Sequence, residues 1–232
     1  MVTAFVLIHG AWHGAWCWQR VIDHLRAAGH DAGALTLSGL AERADLLSRQ
    51  IDLSAHIEDV IAHVRASGWK AITMVGHSYG GFPATAAAAR LGDLVSHLVL
   101  LDAFLPQDGE KLLDHAPHLI EAYTAHASRD ENWHIPPLPS VNFGVADADR
   151  AWVDERLTAQ PVGTYFEPIR LPPLSVPDRT YIRCTQAPGA LLERSAFRAR
   201  ADGWRYVEID APHDAMLTHP ELLAAVIADG AS

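Results

Sequence analysis

An α/β fold built on a mainly parallel sheet is predicted by three observations. Short apolar runs alternate with segments of helical periodicity along most of the 232 residues. The runs are β-branched or leucine-rich and continuous, as in strands buried on both faces. A glycine-flanked serine stands where one run gives way to a helical segment.

The elements follow in order. Residues 2–8, 34–37, 71–75, 97–101, 180–184 and 205–209 read as strands, bounded by glycine, proline or polar residues. Residues 16–28 place Val21, Ile22 and Leu25 at three-to-four spacing and stop at Gly29. Residues 53–66 put Ile57, Val60, Ile61 and Val64 on one face and stop near Gly68. Further helices are expected at 83–91, which is alanine-rich, and at 190–201 and 220–228. The alternation breaks once. Ten of the fourteen prolines fall within 106–177, where clear strand patterns vanish. A stretch that long is not a plain loop. The expected organisation is a core of residues 1–105 and 178–232 carrying an insertion at 106–177.

Composition narrows the function. Apolar residues make up 49% and charged residues 20%, which argues against a disordered or fibrous chain. No run approaches 18 apolar residues, so no membrane span is expected. Residues 1–3 carry no basic region ahead of the apolar run, so a secretory leader is not expected and the cytoplasm is the default location. The net charge of −10, without blocks of like charge, disfavours a nucleic-acid surface. Two cysteines exclude a disulfide framework. Fourteen histidines invite a metal or acid–base reading, but no H-E-x-x-H pair or cysteine cluster accompanies them. No metal or cofactor is expected, and the oligomeric state is open.

The strongest motif is Gly76-His77-Ser78-Tyr79-Gly80, a G-x-S-x-G between an apolar strand and a small-residue helix. That strand–turn–helix setting defines a nucleophile elbow. The glycines remove side chains that would collide with the neighbouring strand and helix. Ser78 is then raised above the carboxyl ends of the sheet. Acyl transfer also needs fixed N–H donors for the developing oxyanion. The backbone N–H of Tyr79 and that of Ala11, in the loop after the first strand, are the candidates.

Three segments carry a resemblance: His9-Gly10-Ala11-Trp12-His13-Gly14-Ala15-Trp16, the serine motif extended to Gly81, and Ala211-Pro212-His213-Asp214-Ala215-Met216-Leu217. Together they resemble the α/β-hydrolase superfamily, and within it the branch of plant methylesterases, hydroxynitrile lyases and related bacterial esterases. The resemblance implies an α/β-hydrolase fold of about six strands, and a cap at 106–177. It also implies a cofactor-free serine hydrolase acting on a small, largely apolar ester, lactone, thioester or carbamate.

His213, after the last strand, fits the base; His219, before a proline, fits a helix entry. The acid departs from the pattern. In the resembling family it follows the penultimate strand, near Ala187, where this chain has no carboxylate. Asp102 ends the strand after the nucleophile helix, a position that some α/β-hydrolases, haloalkane dehalogenases among them, use for their acid. Asp102 is therefore assigned to orient His213, with Asp178, Asp210 and Asp214 as competitors. Trp12 and Trp133 are candidate pocket residues. Hydroxynitrile lyases carry Thr and Lys where this chain has Ala11 and Asp214, which disfavours lyase chemistry. A cofactor-free oxygenase and a ligand receptor with vestigial activity stay open as alternatives.

Overall fold

The computed structural model describes residues 3–128, 133–187 and 191–230. In chain order the elements are β1 (Ala4–Ile8), α1 (Gln19–Ala27), β2 (Asp31–Leu35), α2 (Leu53–Ser67), β3 (Ile72–His77), α3 (Gly81–Leu91) and β4 (Val95–Leu101). There follow α4 (Ile120–Ala127), β5 (His134–Ile135), α5 (Asp147–Asp154), β6 (Gln160–Pro161), α6 (Gly163–Phe166), β7 (Asp178–Cys184), α7 (Glu193–Ala201), β8 (Arg205–Ile209), α8 (Ala215–Thr218) and α9 (Pro220–Asp229).

Six strands form one parallel sheet in the order β2-β1-β3-β4-β7-β8. All of β1 and β3 is buried, as their continuous apolar runs require. The register sets Ile8 beside Gly76, His77 beside Leu101 and Leu101 beside Ile182. The carboxyl ends of four strands therefore share one edge, the usual ligand edge of open α/β sheets. Helix α3 packs on the central strands through nine buried residues, four of them alanines.

The expected elements recur with shifted limits. Strand β2 begins three residues earlier than expected, because the Asp31 N–H bonds to Thr3 O and its register pairs Asp31 with Ala4. As an edge strand it needs no continuous apolar run, and Gly33 and the exposed Asp31 had masked it. The first helix opens with a 3₁₀ turn at Ala15–Trp18 before α1 begins. Residue 2 of the first strand and residue 190 of the α7 helix, both expected from sequence, lie outside the described residues. Between β4 and β7 the described residues add nothing to the six-stranded sheet. There β5 and β6 form a two-residue antiparallel ladder, too short for a sequence pattern.

Glu110 ties the start of this stretch to α7. Its carboxylate accepts from Arg198 at 2.8 and 3.0 Å, from Arg194, and from the Gln107 N–H at 2.7 Å, and His115 stands 3.1 Å away. Burial would raise its pKa, but the Arg198 bonds, the Gln107 N–H and the neighbouring positive charge hold it down to about 2, against 4.5 ordinarily. A depressed carboxylate stabilises the fold above its unfolded value and loses that contribution as pH falls toward its folded value. Between pH 4.5 and about 2, the urea midpoint of the wild type should therefore fall more steeply than that of Glu110→Gln. Parallel curves would remove Glu110 as the anchor.

Candidate active site

Strand β3 ends at His77 and the chain turns sharply through Ser78, whose φ is 53°. A non-glycine residue in this left-handed region is strained by roughly 1–2 kcal/mol. Ser78 opens a 3₁₀ turn that runs into α3. Glycine is required around it by space. A Cβ at Gly76 would lie 2.7 Å from Gly80 O, one at Gly80 2.6 Å from His9 O, and one at Gly81 2.1 Å from Phe104 O. The last contact reflects a closed turn, because the Phe104 N–H in turn donates to Ser78 O at 3.1 Å.

His213 lies on the loop between β8 and α8, and Asp102 follows β4 at φ 38°. The His213 Nδ1 is 2.6 Å from Asp102 Oδ2. The carboxylate can only accept, so Nδ1 carries the proton and Nε2 is free as a base. Asp102 is fully buried. Its other oxygen takes a bond from the Arg183 guanidinium and one from the Cys184 N–H at 3.4 Å. Arg183 also reaches Glu193 at 3.3 Å. Among the described residues, no hydrogen bond closes between Ser78 Oγ and the His213 ring. The two face the same cavity, and such contacts commonly tighten only with substrate.

The cavity encloses about 220 Å³. Ser78, Tyr79, Ala11, Trp12, Asp102 and His213 form one side, and Leu112, Leu113, Leu119, Leu138, Leu191 and Leu192 are among the apolar residues of the other. The Trp12 ring stacks on Phe143 at 5.9 Å and its indole N–H donates to Ile135 O at 3.1 Å. Trp133 does not line this cavity. Beside β5, its ring meets His134 edge-on and its carbonyl holds the Val162 N–H at 2.9 Å.

Buried histidines brace the loops. The Leu37 N–H donates to His9 Nε2 at 3.1 Å, so His9 Nδ1 donates to Gly10 O at 2.8 Å. Burial drives the His9 pKa down to about 3, which keeps this tautomer neutral. A trans peptide points its N–H opposite to its carbonyl, so the Ala11 N–H is directed away from His9. His56, also neutral with a pKa of about 4 through burial, accepts from the Tyr79 hydroxyl at 2.8 Å and donates to Ser38 O at 2.8 Å. His77 donates to His213 O at 3.1 Å, and burial holds its pKa well below the usual value.

The competing carboxylates are placed elsewhere. Asp178 starts β7 at the far end of the sheet, Asp210 bonds Gln186 at 2.9 Å, and Asp214 bonds His13 at 3.2 Å. His77, His213 and Asp214 bring possible metal-ligating atoms within 4.8 Å of one another; His77 Nε2 bonds His213 O and His213 Nδ1 bonds Asp102, while His77 Nδ1 has no hydrogen-bond partner. Sequence reasoning missed Arg183 and the His13–Asp214 pair. A signal existed for the first: a cation set between Ile182 and Cys184, both buried in β7, needs a partner.

Comparison with known proteins gives the family. Residues 5–226 match the model of the alpha/beta hydrolase family, and the chain belongs to that family. It is 34% identical to the carbendazim hydrolyzing esterase of Nocardioides sp. (strain SG-4G) over 241 residues, covering 97% of this chain and 98% of that protein. Methylesterase 2 of Arabidopsis thaliana is 31% identical over 131 residues, 56% of this chain and 48% of that one. A solved extracellular alpha/beta-hydrolase from a Paenibacillus species superposes with a TM-score of 0.86 at 21% identity, covering 98% of both chains, and shares the fold.

The close approach at the elbow sets a test. Gly81→Ala forces a methyl group onto the Phe104 carbonyl, which backbone cannot easily evade. It should cost about 3 kcal/mol or more in urea unfolding, the upper range for overpacking. A loss within experimental error would mean that the turn is looser than described.

Proposed function

We propose that this carboxylic ester hydrolase works through an acyl-enzyme on Ser78, with His213 as the base and Asp102 as the acid that orients it. The observation that carries this reading is the 2.6 Å contact between His213 Nδ1 and the fully buried Asp102, beside Ser78 in one apolar cavity. His213 Nε2 takes the Ser78 proton as Oγ attacks the ester carbonyl. The Ala11 and Tyr79 N–H groups hold the oxyanion. Tyr79 stands at the opening turn of a helix, where N–H groups have no acceptor within the helix. His213 then protonates the leaving alcohol, and water releases the acyl group by the same route.

Residues 106–177 act in this reading as a cap over the core of residues 1–105 and 178–232. Leu112, Leu113, Leu119, Leu138, Phe143 and Tyr165 from this stretch wall the cavity. The polar side chains of the wall are few, and the Arg183 charge is spent on Asp102 and Glu193. A neutral, largely apolar ester of modest size therefore fits, and the lactone, thioester and carbamate bonds are open to the same machinery. Lyase chemistry fits less well, since Asp214 stands where a cation would be needed. A cytoplasmic location belongs to the same reading, supported by two buried free thiols, Cys17 and Cys184.

Three outcomes test it. Ser78→Ala should lose turnover of p-nitrophenyl esters while staying folded; near-normal turnover would instead favour oxygenase-like chemistry without a nucleophile. Asp102→Asn should cut kcat by roughly 10⁴, the loss that follows when the imidazole no longer has its orienting carboxylate. Activity close to wild type would reassign the acid. Across a chain-length series, kcat/KM should rise through short acyl groups and fall once the acyl group outgrows the 220 Å³ cavity.

A further inference from the structure

The loop between β1 and α1 is held by a buried pair that the reaction above does not use. His13 is 2% exposed and Asp214 is fully buried. His13 Nε2 lies 3.2 Å from Asp214 Oδ2, and His13 Nδ1 lies 2.8 Å from Ala11 O. The Ala11 carbonyl can only accept, so Nδ1 carries a proton. The second nitrogen faces a carboxyl group, and imidazole is the stronger base of the two by roughly 2.5 units in water. Two protons on the ring make it an imidazolium.

The surroundings favour that state. The His13 ring stacks on Trp16 at 5.4 Å and meets the edge of Phe143 at 5.5 Å. The other titratable groups nearby are His9 and His77, both kept neutral by burial, Cys17, whose thiol burial pushes well up, and His213, which has a ring nitrogen within 4.8 Å of an Asp214 oxygen but gives its Nδ1 proton to Asp102. His77 Nε2 is 3.9 Å from Asp214 Oδ1, and that oxygen has no hydrogen-bond partner. His13 is thus the counter-charge of Asp214 within this cluster. Burial alone would lower the His13 pKa, but the Asp214 charge and hydrogen bond, with the Ala11 carbonyl, leave it raised.

The pair grips one peptide. The carbonyl of the Ala11–Trp12 peptide goes to His13, and its N–H goes to Gln160 Oε1 at 3.2 Å. The preceding peptide is held by His9. We propose that His13 is a positioning residue, an imidazolium clamped between Asp214 and the Ala11 carbonyl that fixes the oxyanion loop and ties it to the loop carrying His213. The proposal rests on the acyl-enzyme reading, in which the Ala11 N–H contacts the oxyanion. No atom of His13 needs to touch substrate.

Long-range ¹H–¹⁵N NMR of the histidine rings tests the charge directly, with the His13 signals assigned by their loss in His13→Phe. The expected result at pH 7 is an imidazolium in the wild type that becomes neutral in Asp214→Asn. A neutral His13 beside a protonated Asp214 has the same proton count and overturns the proposal. Kinetics test the role. His13→Phe should lower kcat on the order of 10- to 100-fold with KM within about threefold, since a misdirected oxyanion donor is felt mainly in the transition state. The wild type should also show an alkaline limb in kcat that His13→Phe lacks. Unchanged kcat, or a loss confined to KM, overturns the clamp. Should Asp214→Asn fail to fold, the wild-type NMR signal decides alone. Retained turnover in Ser78→Ala would sink the acyl-enzyme reading, whereas a neutral His13 in an enzyme that depends on Ser78 sinks only this one.

Discussion

A carboxylate with no contact to water has to be compensated from within the protein, and Asp102 imposes that requirement on the whole edge of the sheet. Removing such a group from water costs several kcal/mol unless it is paired and hydrogen-bonded. Here His213, the Arg183 guanidinium and the Cys184 N–H supply the partners. Each arrives from a different place, the loop after β8, the interior of β7 and its last residue. The parallel register that lays β7 against β4 is what brings them together. The backbone at Asp102 is strained as well, at φ 38°, and its N–H is held by Ile182 O at 2.7 Å. Sheet order, loop path and local strain are linked at this one side chain.

Ser78 depends on a second constraint, close approach of backbone to backbone. Three glycines and a row of alanines let α3 sit directly on β3 and beneath the turn at residues 102–104. This proximity places Ser78 and Asp102 on the same rim. Of the four non-glycine residues with positive φ among the described ones, Trp12, Ser78 and Asp102 line the cavity. Strain of this kind persists only where surrounding contacts over-determine it. The Ser78 O–Phe104 N–H bond and the Tyr181 hydroxyl on Ala103 O are two such contacts.

Much of this was legible in the sequence because it is local. Buried parallel strands announce themselves by continuous apolar runs, and an elbow needs its serine and glycines at fixed spacing. The edge strand β2 was misplaced because one-sided pairing relaxes the need for apolar residues. Trp133 was a poor guide to the pocket, since an aromatic in an irregular stretch says nothing about which way it packs. The cavity wall escaped for a related reason: its leucines come from 3₁₀ turns and loops around residues 112–138 and 191–192, which carry no periodicity. Asp102 was readable only through topology, as the residue just after a strand that had to lie beside Ser78. The partners of Arg183 and Asp214 were not, because pairs 81 and 201 positions apart leave no trace in spacing.

The two buried acids would disturb each other if nothing stood between them. Asp102 bonds His213, and Asp214, the residue after His213, bonds His13. His77 separates the two pairs. Its ring centre is 4.5 Å from that of His213, and its Nε2 is 3.9 Å from Asp214 Oδ1. Burial and the flanking imidazoles keep His77 neutral, so it adds no charge to either pair. It still holds the His213 loop through the backbone carbonyl, at 3.1 Å. A charged residue in its place would bias one pair or the other, and an apolar one would leave the His213 carbonyl without this donor. The histidine at the second position of the serine motif is thus explained by electrostatic neutrality combined with one directed N–H, a requirement that neither lysine nor leucine meets.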